Sequence, residues 1–114
     1  MSEEKTISTS IGTQMRKGVL ELCTLAIIAE KDVYASDIID ALKKSDLIVV
    51  EGTLYPMLTR LKNEGHLSYR WEESSSGPPR KYYQLTDDGH ELLNNLKQNW
   101  QDLTKAVNLI INKS

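Results

Sequence analysis

At 114 residues and 39% apolar content the chain has room for one domain with a modest core, and none for a second. A formal net charge of −2 gives no composition-level case for nucleic acid, so such an interface would have to come from where charges sit. Cys23 is the only cysteine, which excludes an internal disulfide and reads as a small core residue. The polar, acidic start has no leader pattern and no stretch reaches the ~18 apolar residues of a membrane span, so a cytoplasmic protein is expected.

Residues 1–13, rich in Ser, Thr and Glu, show no periodicity and read as a flexible tail. From Gln14 to Glu30 apolar residues recur at helical spacing, and after Leu22 they cover most of the circumference, so this first helix must be buried on more than one side. Ala35 to Lys44 reads as a second helix: Ser36 is the candidate N-cap, Asp37 suits the first turn, and Lys43 and Lys44 sit at the negative end of the dipole. Leu47 to Val50 is consistent with a turn or a short strand.

A third helix is expected over Thr53 to Glu64, with Leu54, Leu58 and Leu61 on one face, Gly65 as its stop and Pro56 within the first turn. Leu67, Tyr69 and Trp71 alternate with Ser68 and Arg70 as a strand, and Arg80 to Leu85 is its partner across a polar tip from Ser74 to Pro79. Thr86 then caps a long helix from about Asp87 to Asn112. The expected fold is α+β and mostly α: three short helices, a hairpin and a long C-terminal helix, the order of a winged helix-turn-helix.

In that fold the third helix enters the major groove and the hairpin reaches phosphate beside it. With its leucines inward, this helix exposes Thr53, Tyr55, Pro56, Thr59, Arg60, Lys62 and Asn63. From Gly52 to Tyr82 five Lys or Arg stand against three acids, so this segment is basic although the chain is not. Candidate DNA-binding residues are therefore Ser36, Thr53, Tyr55, Pro56, Thr59, Arg60, Lys62, Gly77, Arg80 and Lys81. The alternative is a winged helix that binds protein rather than specific DNA, with these charges as an ordinary solvated face.

Leu93, Leu96, Trp100, Leu103, Val107 and Ile110 follow alternating steps of three and four, the spacing of a heptad seam. A helix of about 26 residues is about 39 Å long, longer than the body formed by the preceding ~80 residues, about 30 Å across. Its far end must leave its own domain, and a second copy is the economical cover, with Leu22, Leu25 and Ile28 of the first helix joining the contact. The expected organisation is a tail over 1–13, a DNA-binding domain over 14–86 and a dimerisation helix over 87–114.

The run from Gly52 to Leu61, followed by Glu64-Gly65, resembles the recognition helix of the PadR family of bacterial regulators. The run Gly77-Pro78-Pro79-Arg80-Lys81-Tyr82-Tyr83-Gln84-Leu85-Thr86, with Gly89 after it, resembles that family's wing and helix junction. The likeness spans roughly residues 14–112, and its single long C-terminal helix is that of the short members. It implies a dimeric repressor on a near-palindromic operator, with Tyr55, Arg60, Arg80 and Lys81 at matching positions. From position alone Trp100 reads as a packing anchor; the resemblance also implies a planar aromatic effector held there, with Leu96 and Leu103 beside it. His66 and His90 have no partners at metal spacing, and no nucleophile and base pair can be read, so no metal, cofactor or catalytic residue is expected.

Overall fold

The computed structural model describes residues 15, 16 and 18–112, so the expected tail over 1–13 lies outside the described residues. Six elements follow in order: α1 (Leu20–Glu30), α2 (Ala35–Lys44), α3 (Glu51–Asn63), β1 (Leu67–Ser74), β2 (Gly77–Leu85) and α4 (Asp87–Ile111).

Gln14 lies outside the described residues; Met15 and Arg16 are helical, Gly18 and Val19 form a turn closed by Val19 N–H donating to the Arg16 carbonyl at 3.0 Å, and α1 runs unbroken from Leu20. Glycine is a poor helix former. Leu20, Thr24, Leu25 and Ile28 are buried, and Leu22, Cys23, Ala26, Ile27 and Ala29 pack around them, so α1 meets α2, β2 and α4 at once. Burial pushes the Cys23 thiol up, away from the reactive thiolate.

Tyr34, not Ser36, is the residue that precedes α2. Its backbone N–H donates to Asp37 Oδ2 at 3.0 Å, so the acid inside the first turn supplies the capping contact and Ser36 stays exposed on the helix. After Lys44 the chain reverses through Asp46 at φ 62, and Leu47 N–H returns to the Leu42 carbonyl at 2.8 Å. Leu47 to Val50 forms no strand.

α3 starts two residues earlier than its pattern implies, which moves Pro56 from the first turn into the second. The missing N–H then leaves the Gly52 carbonyl without its helical donor; Gly52 is exposed, so that carbonyl stands open to solvent. Leu54, Leu58 and Leu61 are fully buried. The helix closes by two bonds, Gly65 N–H to the Lys62 carbonyl (3.0 Å) and His66 N–H to the Leu61 carbonyl (2.9 Å), with Gly65 at φ 87. This is the Schellman stop that a glycine makes without steric cost.

The hairpin is longer than its composition implies. Its turn is Ser75–Ser76, and Pro78 and Pro79 lie within β2, where together they oppose Glu73 alone between the pairs Glu72↔Arg80 and Ser74↔Gly77. A bulge suits two residues that have no N–H for the ladder. Val33 pairs with Tyr83 from the other side (2.7 and 3.1 Å), so β2 runs between Val33 and β1.

The last helix is locked to the end of α3. Thr86 Oγ1 accepts from Gly89 N–H at 3.0 Å and donates to the Gly65 carbonyl at 2.6 Å, while Thr86 N–H donates to the His66 carbonyl at 3.2 Å. A Cβ on Gly89 would stand 2.1 Å from that His66 oxygen, so only glycine permits the approach. At 1.5 Å per residue α4 is about 38 Å long, and it stretches the molecule to 56 Å against 36 and 21 Å across.

Leu93 is buried and Leu96 half-buried, but Trp100, Leu103, Val107 and Ile110 are exposed, so the helix starts to leave its own body after about its third turn. Leu25, Ile28 and Leu93, expected at a subunit contact, are core residues of one chain; filling that core leaves them no surface for another.

Candidate nucleic-acid interface

The buried leucines of α3 turn Gly52, Pro56, Thr59 and Asn63 to the outermost strip of the helix, since successive residues are about 100° apart. Tyr55 and Lys62 fall on the flank toward the hairpin, and Thr53 and Arg60 on the flank toward α1. Contacts agree: Lys62 Nζ lies 5.8 Å from the Tyr69 ring of β1, whereas Arg60 pairs with Glu21 of α1. Thr53 borders a separate apolar depression with Leu20, Leu47 and Val49.

Between α3, the start of α2 and the hairpin lies a half-open trough of about 410 Å³. It brings together Ser36, Tyr55, Thr59, Arg80 and Lys81, five of the ten expected residues, from three elements, over a sequence separation of up to 45 positions. Pro56 and Arg60 share a shallower surface with Asn63 and Glu64 on the outer face of α3, and Gly77 stands at the exposed hairpin tip.

Charge is sorted across this surface. Arg60 is held by Glu21 and by Glu64 (2.8 Å), and Arg70 by Asp32 (2.7 Å) and Glu72 (2.9 Å). The hydrogen bond that Arg60 donates to Glu21, and the one that Arg70 donates to Asp32, raise each guanidinium further above its ordinary value. Lys62, Arg80 and Lys81 have no carboxylate partner among the described residues; instead they lie over aromatic rings. Arg80 is 5.4 Å from the Tyr34 ring, and Lys81 is 4.7 Å from Tyr69 and 5.6 Å from Trp71. Stacked on a ring face, a cation keeps its outer side and its charge available to an anion.

The model of the transcriptional regulator PadR-like family matches residues 24–95, which takes in α1 from Thr24, the trough and the first part of α4. The chain belongs to this family. PadR-like proteins are DNA-binding regulators of transcription and not enzymes. Among solved structures, a PadR-like transcription factor from Bacteroides fragilis is 54% identical, with 89% of this chain and 98% of that one covered and a TM-score of 0.74. A PadR-like regulator from Bacillus cereus is 39% identical over 89% of this chain and 99% of that one, TM-score 0.78. A PadR-family regulator from Eggerthella lenta, 26% identical, covers all of both chains at a TM-score of 0.90.

The PadR-like chain has a second concavity, about 290 Å³, between the start of α1 and the middle of α4. Leu22, Leu96, Trp100 and Leu103 meet there, together with Gly18 and Glu21. Glu21 therefore borders this groove while holding Arg60 of α3. Among the described residues no helix is long and apolar enough to cross a membrane, and no cluster of three or more metal-ligating side chains occurs.

Tyr34, Trp71 and Pro79 also line the trough, although none of them is among the ten expected DNA-binding residues. Tyr34 arrives through the Val33–Tyr83 bridge, which links segments fifty residues apart and has no local signal. Trp71 could have been found from the strand register, since it stands directly opposite Lys81.

Proposed function

We propose that this PadR-like chain is a repressor that binds a near-palindromic operator as a homodimer, with α3 in the major groove and the β1–β2 hairpin on the flanking phosphates. In this reading residues 14–86 are the DNA-binding unit and residues 87–114 the dimerisation helix. The observation that carries it is the sorting of charge: Arg80 and Lys81 line the trough with no carboxylate partner among the described residues, while Arg60 and Arg70, which do not line it, are ion-paired with Glu21 and Glu64 and with Asp32 and Glu72. Ser36, Tyr55 and Thr59 add hydroxyls suited to phosphate or base edges.

Dimerisation is supported by the exposed seam of Trp100, Leu103, Val107 and Ile110, whose burial is worth roughly 1.5–3 kcal/mol per large side chain. The repressor role follows the likeness of the helix and wing motifs to the family. A flat aromatic effector fits the groove at Trp100, Leu96 and Leu103, and it alters operator affinity only by favouring one spacing of the recognition helices over another. Quenching of Trp emission by planar cationic dyes, lost in Trp100→Ala, tests that part.

Selection from a randomised duplex pool tests the whole. A near-palindrome with half-sites one helical turn apart, about 34–36 Å, is the expected product. A single asymmetric site, or no enrichment, contradicts it and favours a protein-binding module.

A further inference from the structure

Trp71 leaves 62% of its surface in water, more than Trp100 (45%) or Tyr55 (44%). An indole carries a large, rigid apolar area suited to contact, and this one stands open to solvent on the folded domain. It is also held in place: the edge of Tyr69 meets it with centroids 6.0 Å apart at 88°, and Lys81, its cross-strand partner, lies 5.6 Å from its ring. Its open side borders the trough shared with Tyr55, Pro79 and Arg80.

An apolar plate that shares a trough with two unpaired cations, Lys81 over its ring and Arg80 farther along beside Tyr34, selects its occupant by chemistry. An apolar protein surface would strip water from Arg80 and Lys81 without pairing them, which is costly. A small free anion would satisfy the cations and leave the indole wet. A sugar-phosphate strand presents both features in alternation, an apolar deoxyribose face between successive phosphates.

We propose that Trp71 is the seat of one deoxyribose of the DNA strand passing between α3 and the hairpin, with Arg80 and Lys81 holding the phosphates on either side. The proposal rests on the DNA-binding reading above and adds a residue that contributes affinity without charge and without reading sequence. Its signature therefore differs from that of a phosphate contact, which changes the salt slope, and from that of a base contact, which changes specificity.

The test uses the full chain with the duplex it selects from a randomised pool and with a scrambled duplex of equal composition. Trp71→Ala is expected to weaken both by about tenfold, equivalent to about 1.4 kcal/mol, with the dependence of log K on log salt unchanged. Trp71→Phe keeps a flat apolar ring and most of the affinity. Duplex addition is expected to change Trp emission in the unaltered protein and not in Trp71→Phe. Affinity within about twofold of the unaltered protein, a loss confined to the selected duplex, or a changed salt slope would each overturn the proposal. So would an altered sedimentation coefficient of free Trp71→Ala, which would assign the indole to a contact with a second copy. Failure of the unaltered protein to bind either duplex removes the DNA-binding reading itself.

Discussion

Replacing Gly89 by alanine places a methyl group 2.1 Å from the His66 carbonyl oxygen and 3.3 Å from a Leu85 methyl. The oxygen cannot swing aside, because it belongs to the turn that ends α3 and accepts Thr86 N–H at 3.2 Å. Relief to an ordinary contact requires the first turn of α4 to back away by about 1 Å or more from the turn at His66. Overpacking of this kind costs roughly 1–3 kcal/mol, and weakening the Thr86 bond adds about 0.5–1.5 kcal/mol. Alanine returns about 1 kcal/mol through its better helix propensity. The net expectation is a loss of about 2 kcal/mol, or on the order of 10 °C in Tm. Circular dichroism during urea and thermal unfolding measures it, at one protein concentration because subunit association shifts the midpoint. Gly77→Ala is the control: a Cβ there meets nothing within 4 Å, and its effect should stay under about 0.5 kcal/mol. If Gly89→Ala matches Gly77→Ala, the junction of α3 and α4 is looser than this packing requires and the argument fails.

Tyr55 and Arg60 are expected to separate. Tyr55→Ala should cost about 1–3 kcal/mol on the selected duplex and little on a scrambled one, whereas Arg60→Ala, already partnered by Glu21 and Glu64, should cost under about 1 kcal/mol on either; binding curves showing the larger loss for Arg60 would reverse the assignment. Leu103→Glu with Ile110→Glu places two charges on the exposed seam of α4 and is expected to convert a sedimenting dimer into a monomer; an unchanged mass at micromolar concentration contradicts the dimer.

Much of this architecture is legible in the chain because the strongest signals are local and periodic. Leu54, Leu58 and Leu61 alone orient α3, and Thr86 with Gly89 marks the start of α4. Misreadings arise where two local signals compete. Ser36 has the chemistry of a cap, but Asp37 reaches back to the Tyr34 N–H and the helix begins earlier. Pro56 usually marks a first turn, yet Val50 in an extended conformation lets α3 start at Glu51. Pro78 and Pro79 resemble loop residues and are instead absorbed by a bulge. Leu25 and Ile28 show a different limit, since an apolar helix face does not state whether it meets its own core or another chain. The trough is assembled from α2, α3 and the hairpin, so its residue types can be listed from sequence but its membership, Trp71 and Tyr34 above all, depends on the strand register.

The most direct measurement is the salt dependence of duplex binding by the unaltered protein and by Arg80→Ala with Lys81→Ala. Counterion release gives a slope near −0.9 for each phosphate neutralised, so removing two unpaired cations beside the trough of each subunit is expected to flatten the slope by about 1.8 per subunit, about 3.6 for the dimer, and to weaken selected and scrambled duplexes alike. Equal slopes and equal affinities for the two proteins would show that the hairpin does not meet phosphate, and would contradict the assignment of this face to DNA.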